Sequence, residues 1–90
     1  MPLFTESDED LVIINAIEDE VTRARENWPR FHNAHEGFAV LLEEVEELKS
    51  HVFTNQKRRD LRAMQIEAIQ VAAMAVRFAS EVCDEVNGRK

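Results

Sequence analysis

The sequence predicts an all-α fold, a helical bundle of three long helices with room for a short fourth, and three observations predict it. Apolar residues recur at steps of three and four along the whole chain. Only two glycines and two prolines interrupt it. The third helical segment is apolar on nearly every side, which calls for completion of the bundle by oligomerisation. Ninety residues make one domain, 1–90, with 1–6 and 88–90 expected as flexible ends. A chain this short buries only about 60 to 65 percent of its unfolded surface, so its own core is marginal.

The first helix starts from Ser7 as N-cap. Asp8, Glu9 and Asp10 fill its first turn, where negative charge meets the positive end of the helix dipole. Ile14, Ile17, Val21, Ala24 and Trp28 form one stripe, and the helix is expected to end near Trp28 because Pro29 disfavours helical geometry in the residue before it. Arg30, Phe31 and His32 connect to a second helix begun by Asn33, with Glu36 in the position of a capping-box partner. Leu41, Val45, Leu48 and Val52 make its core seam, and Glu44 and Glu47 lie to one side of that seam. Gly37 inside this helix costs roughly 1 kcal/mol against Ala and marks close packing.

A polar link, Thr54-Asn55-Gln56, leads to a third segment expected to run as far as Val86 and to stop at Asn87-Gly88, with a break near Ala79-Ser80 as the alternative that yields a fourth helix. Two neighbouring helices can hardly cover its apolar surface, so a second copy of the chain is the expected partner.

Composition excludes several classes. Eighteen acidic against eleven basic residues give a net charge of -7, which argues against duplex nucleic acid and anionic membranes as partners. The single cysteine, Cys83, is read as a small buried residue in a reducing compartment. With no basic and apolar leader after Met1 and no apolar stretch of membrane-spanning length, the expected location is the cytoplasm.

The chemistry is concentrated in Glu43-Glu44-Val45-Glu46-Glu47, followed after nineteen residues by Glu67-Ala68-Ile69-Gln70. A Glu-x-x-Glu pair puts two carboxylates on one helix face with Cβ atoms about 5 to 6 Å apart. Glu67 and Gln70, polar exceptions on an apolar helix, share a stripe with Ala63, Met74, Arg77 and Glu81. A buried carboxylate requires a counter-charge. Two of them about 4 Å apart repel by roughly 4 kcal/mol at an effective dielectric of 20. A hard divalent cation held by Glu44, Glu47, Glu67 and Gln70 is one answer. Pairing of Glu67 with Arg62, Arg77 or a partner's basic residue is the other.

These residues resemble the MazG-like all-α nucleoside triphosphate pyrophosphohydrolases, whose signature is Glu-Glu-x-x-Glu, a variable gap, then Glu-x-x-Asp. The likeness covers roughly Ala34 to Val82, carried by Glu43, Glu44, Glu47 and Glu67, and by the phrase from Glu67 to Ala75. It implies cleavage of a nucleoside triphosphate to monophosphate and pyrophosphate with Mg²⁺, or Mn²⁺, as cofactor. It also implies Glu44, Glu47 and Glu67 as metal ligands, with Glu43 either supporting those ligands from behind or acting as the catalytic base. Gln70 stands where the family has Asp. An amide oxygen coordinates without bringing charge and cannot act as a base, so weaker metal binding is expected. The alternative is a catalytically degenerate helical interaction or nucleotide-sensing module of the same fold.

Lys57, Arg58, Arg59 and Arg62 form the main basic cluster and are candidates for holding a triphosphate tail. Trp28 is a candidate for stacking on a base, against the plainer expectation that it belongs to the core. His32, His35 and His51 show no metal-site spacing.

Overall fold

The computed structural model describes residues 8–54 and 56–84. Three helices carry the fold: α1 (Asp8–Asn27), α2 (Ala34–Val52) and α3 (Leu61–Arg77). A 3₁₀ turn, Gln56–Arg58, precedes α3 and a π turn, Phe78–Val82, continues it. No strand occurs among the described residues, and none of their helices is long and apolar enough to cross a membrane. The fold class is all-α, as the periodicity predicts.

Local chemistry explains the boundaries. Asp8, Glu9 and Asp10 occupy the first turn of α1, while Ser7 lies outside the described residues. At the other end the Trp28 amide still donates to Ala24 O at 2.8 Å before Pro29 turns the chain away. Asn33 caps α2 from an extended backbone, its Oδ1 accepting from the Glu36 amide at 2.9 Å. The Glu36 carboxylate reaches back one residue further than a standard capping box, accepting from the His32 amide at 2.9 Å.

Asp60 is the N-cap of α3, accepting from the Ala63 amide at 3.0 Å. One expectation for the third segment needs correction. The helix does not run on as one α-helix towards Val86: α winding stops at Arg77, and the break expected near Ala79-Ser80 is the π turn. The Asn87-Gly88 stop lies outside the described residues, as do the ends 1–6 and 88–90.

α3 packs against both α1 and α2, which make no close backbone approach to each other. The core is correspondingly small: Val21, Ala24, Phe31, Ala73, Met74 and Val82, flanked by Ile17, Val40, Leu41 and Phe78. Gly37 is where α2 meets this core. A Cβ there would lie 2.8 Å from Phe78 Cδ2 and 3.0 Å from Phe31 Cδ2, so the backbone passes the two rings only without a side chain.

Two burial expectations fail. Trp28 is 63 % exposed, because the α1 stripe outruns the packed part of the helix after Ala24. Cys83 is exposed just beyond the π turn. As its apolar circumference predicts, α3 is not covered all round by its own chain: α1 and α2 occupy only part of it, and Leu61 (73 %), Ile66 and Val76 stand open, as do Phe38 (57 %), Leu42 and Val45 on α2.

Candidate metal centre and the adjoining cleft

α2 presents Glu44 and Glu47 one turn apart, and α3 packed beside it presents Glu67. One carboxylate oxygen from each lies within 4.8 Å of the others. Glu44 and Glu67 are half-buried and Glu47 is exposed, so the cluster opens to solvent on one side.

The charge of His51 bears on Glu67, but it is the last of the influences there and does not offset burial and the neighbouring acids. Oε2 of Glu44 and Oε2 of Glu67 are closed to solvent and have no hydrogen-bond partner. Burial first, then the charges of Glu47 and Glu67, push the Glu44 carboxyl up to about 7. Burial and the neighbouring Glu47 likewise raise Glu67. The cations considered as partners for Glu67 are engaged elsewhere: Arg62 donates to Gln65 Oε1 at 3.0 Å and Arg77 to Glu81. Among the described residues, no ion pair reaches any of the three acids. A set of hard oxygen donors with two unsatisfied atoms fits a hard divalent cation better than it fits a soft one.

The chain matches no protein-family model, no curated protein and no solved structure.

Beside the cluster, the divergence of α1 from α2 leaves a cleft of about 460 Å³ floored by α3. Glu44 belongs to both sites, and Glu43 and Gln70 stand on the cleft wall next to it. Trp28 and Phe31 bring aromatic surface from the α1–α2 connection, and Val40 and Met74 add apolar surface. Of the charged residues on the wall, Arg23 is tied to Glu20, with Nε donating to Oε1 at 3.1 Å. Glu36 is held below its usual range by the His32 side chain, which bonds its Oε2 at 3.0 Å.

Lys57, Arg58, Arg59 and Arg62 are exposed at the α2–α3 connection and do not line the cleft. Arg59 Nε donates to Val52 O at 3.1 Å, closing the end of α2. The order along α3 is therefore basic cluster, acidic cluster, cleft. At 1.5 Å per residue, Arg62, Glu67 and Arg77 span about 20 to 25 Å.

Sequence reasoning did not assign Arg77 and Glu81 to the site. Arg77 is 2 % and Glu81 0 % exposed. Glu81 accepts from Arg77 Nε (2.9 Å), Arg77 Nη2 (3.2 Å), Arg25 Nε (3.0 Å) and the Phe31 amide (3.0 Å). Arg77 Nη2 also donates to Pro29 O at 2.9 Å, and the guanidinium lies 4.3 Å from the centre of the Phe31 ring. The signal was present in the sequence: an Arg-x-x-x-Glu pair on the stripe that carries Glu67 and Gln70.

Proposed function

We propose that this chain is a MazG-like nucleoside triphosphate pyrophosphohydrolase domain working in the cytoplasm. One observation carries the reading: Glu44, Glu47 and Glu67 converge within 4.8 Å with two buried carboxylate oxygens left without partners. In this reading Glu44, Glu47 and Glu67 hold Mg²⁺, or Mn²⁺, and the Gln70 amide oxygen adds a neutral donor. The ion supplies charge neutralisation for the leaving pyrophosphate and makes an attacking water more acidic.

The chain's own residues do the rest. Glu43, exposed on the cleft wall, takes the proton from the water as its oxygen joins the α phosphorus. The bond from that phosphorus to the bridging oxygen breaks, and pyrophosphate leaves with the electron pair. Trp28, largely exposed at the cleft, offers a face on which a base can stack. Lys57, Arg58, Arg59 and Arg62 lie at and before the start of α3, on the far side of the acids from the cleft, where their positive charge would attract a polyphosphate tail.

The same proposal includes self-association. Phe38, Leu42 and Val45 follow one another at steps of four and three on α2 and are exposed together. With Ile66 and Val76 open on α3, the chain presents more apolar surface than its small core buries comfortably, and a second copy offers a matching face.

Gln70 supports a second reading, a catalytically degenerate interaction or nucleotide-sensing module, since it removes one negative charge from the donor set. The test is pyrophosphate release from a broad panel of triphosphates with Mg²⁺ or Mn²⁺, for the wild type and for Gln70→Asp. Pyrophosphate from the wild type supports the enzyme. Pyrophosphate from Gln70→Asp alone supports the degenerate module. None from either, with no shift in melting temperature on adding metal, overturns the nucleotide reading.

A further inference from the structure

The cleft beside the acidic cluster carries more negative charge than its own wall offsets. Four carboxylates line it, Glu20, Glu36, Glu43 and Glu44, against the two guanidinium groups of Arg23 and Arg77. Both guanidinium groups are already answered by carboxylates. Arg23 Nε donates to Glu20 Oε1 at 3.1 Å, and Arg77 donates to Glu81 from Nε and Nη2. Glu44 also belongs to the acidic cluster and serves a metal bound there. Glu36 keeps its charge, because the His32 side chain holds it below its usual range. Glu43 is exposed on the wall, and among the described residues no ion pair reaches it.

Trp28 stands at the same cleft, 63 % exposed, so its indole face is not taken up by the core. Indole is the side chain whose π face attracts a cation most strongly. Carboxylates beside it add Coulomb attraction, while Val40 and Met74 add apolar surface that suits a flat ring rather than a small hydrated ion. A neutral ring would stack there equally well but would cover the carboxylates without supplying a counter-charge, which is costly. We infer that the cleft selects a positively charged planar heterocycle, of the class formed when a ring nitrogen of a purine is alkylated, with Trp28 on its face and Glu36 and Glu43 answering its charge. The inference rests on the pyrophosphohydrolase reading only in naming a nucleoside as the bearer of the ring.

Nucleosides, which bring no phosphate charge, test it on the intact protein without metal. In slightly acidic buffer N7-methylguanosine and N1-methyladenosine carry a positive ring, and guanosine and adenosine do not. Trp28 is the single tryptophan of the chain, so its emission reports the cleft. Each methylated nucleoside should bind at least about tenfold more tightly than its parent, the gain of a desolvated cation–π contact. Glu36→Gln keeps an acceptor for the His32 amide but not the charge, and should cut that preference by about threefold. Trp28→Leu, at an exposed position that leaves the packing intact, should bring each pair within about twofold by calorimetry. Equal affinities of parent and methylated nucleosides, no binding of any of them, or a preference untouched by Glu36→Gln would each overturn the inference. So would a preference that survives Trp28→Leu, since that marks attraction to the net charge of -7 and not to the cleft. Pyrophosphate from ordinary triphosphates together with equal nucleoside affinities would overturn it and leave the enzyme standing. Selective binding with no pyrophosphate from any triphosphate would do the reverse.

Discussion

Arg77 and Glu81 meet side-on, Nε to Oε2 at 2.9 Å and Nη2 to Oε1 at 3.2 Å, at the point where α3 passes into its π turn. Taking two charges out of water is expensive, and their attraction compensates only when the remaining polar atoms are satisfied. Here they are. The Phe31 amide and Arg25 complete the carboxylate, and Pro29 O takes the second Nη2 bond. The pair thereby fastens the α1–α2 connection, with the aromatic wall of the cleft, onto α3.

Acid should loosen this fastening. Burial alone would raise the Glu81 carboxyl, but the Arg77, Phe31 and Arg25 hydrogen bonds hold it down at about 2, below its ordinary 4.5. A depressed carboxyl stabilises the fold above its unfolded value and loses that contribution as pH falls through the folded value. About 3 kcal/mol should therefore vanish between about pH 4.5 and about pH 2. Urea midpoints against pH check this. Glu81→Gln should be less stable than wild type at neutral pH and should lose less on acidification.

Glu44 works in the opposite sense. Its carboxyl is pushed up to about 7, so in the metal-free protein its own contribution to stability is most favourable below about 4.5 and is lost as pH rises through about 7. After discounting for solvent screening the loss is about 1 to 2 kcal/mol. Added Mg²⁺ should reverse the trend, with its stabilisation growing as Glu44 loses its proton. Melting curves across this range, with and without Mg²⁺, give the comparison.

Removing one of the three negative charges should separate stability from metal binding. Glu67→Gln relieves the repulsion with Glu44 and Glu47, worth about 1 kcal/mol for partly exposed groups, so the metal-free melting temperature should rise by roughly 5 °C. The rise produced by Mg²⁺ in the wild type should disappear. Differential scanning calorimetry reads both effects.

Gly37→Ala gains about 1 kcal/mol of helix propensity. The new Cβ would meet Phe78 at 2.8 Å and Phe31 at 3.0 Å, and overpacking of this kind costs about 1 to 3 kcal/mol. Net destabilisation of about 1 kcal/mol is expected in denaturant titration, together with a change in Trp28 emission as the Phe31 loop shifts.

Self-association is checked by sedimentation. The wild type should sediment as a dimer or larger species at micromolar concentration. Leu42→Glu, on the exposed α2 face, should shift it towards monomer without loss of helix content. A wild-type monomer under these conditions would count against the proposed second copy.

The helices and the carboxylates were legible in the sequence because both depend on spacing. Asn33 with Glu36, and Glu44 and Glu47 with Glu67, act through local geometry that recurs wherever α-helices pack. What escaped depends on the particular way this chain closes. Trp28 continues a stripe whose partner surface ends at Ala24, and Cys83 follows a change of helical winding that no residue type announces. Asp60 was passed over as a cap because the polar run before it and the basic run around it obscured the start of α3. Arg77 and Glu81 were visible as a pair, but their hold on the Pro29–Phe31 connection is a contact between segments far apart in the chain.

The π turn makes the end of this chain sensitive to shortening. Its wider winding fits one more residue into the last turn than an α-helix would hold. Deleting one residue between Arg77 and Glu81 would leave Glu81 three residues after Arg77 instead of four, and so move its carboxylate relative to the guanidinium and the Phe31 amide. The carboxylate would swing off the Phe31 amide, and the loop would lose its anchor. A lineage that acquired this extra residue could discard it only by rebuilding the loop at the same time, so length at 78–80 should vary far less than identity there.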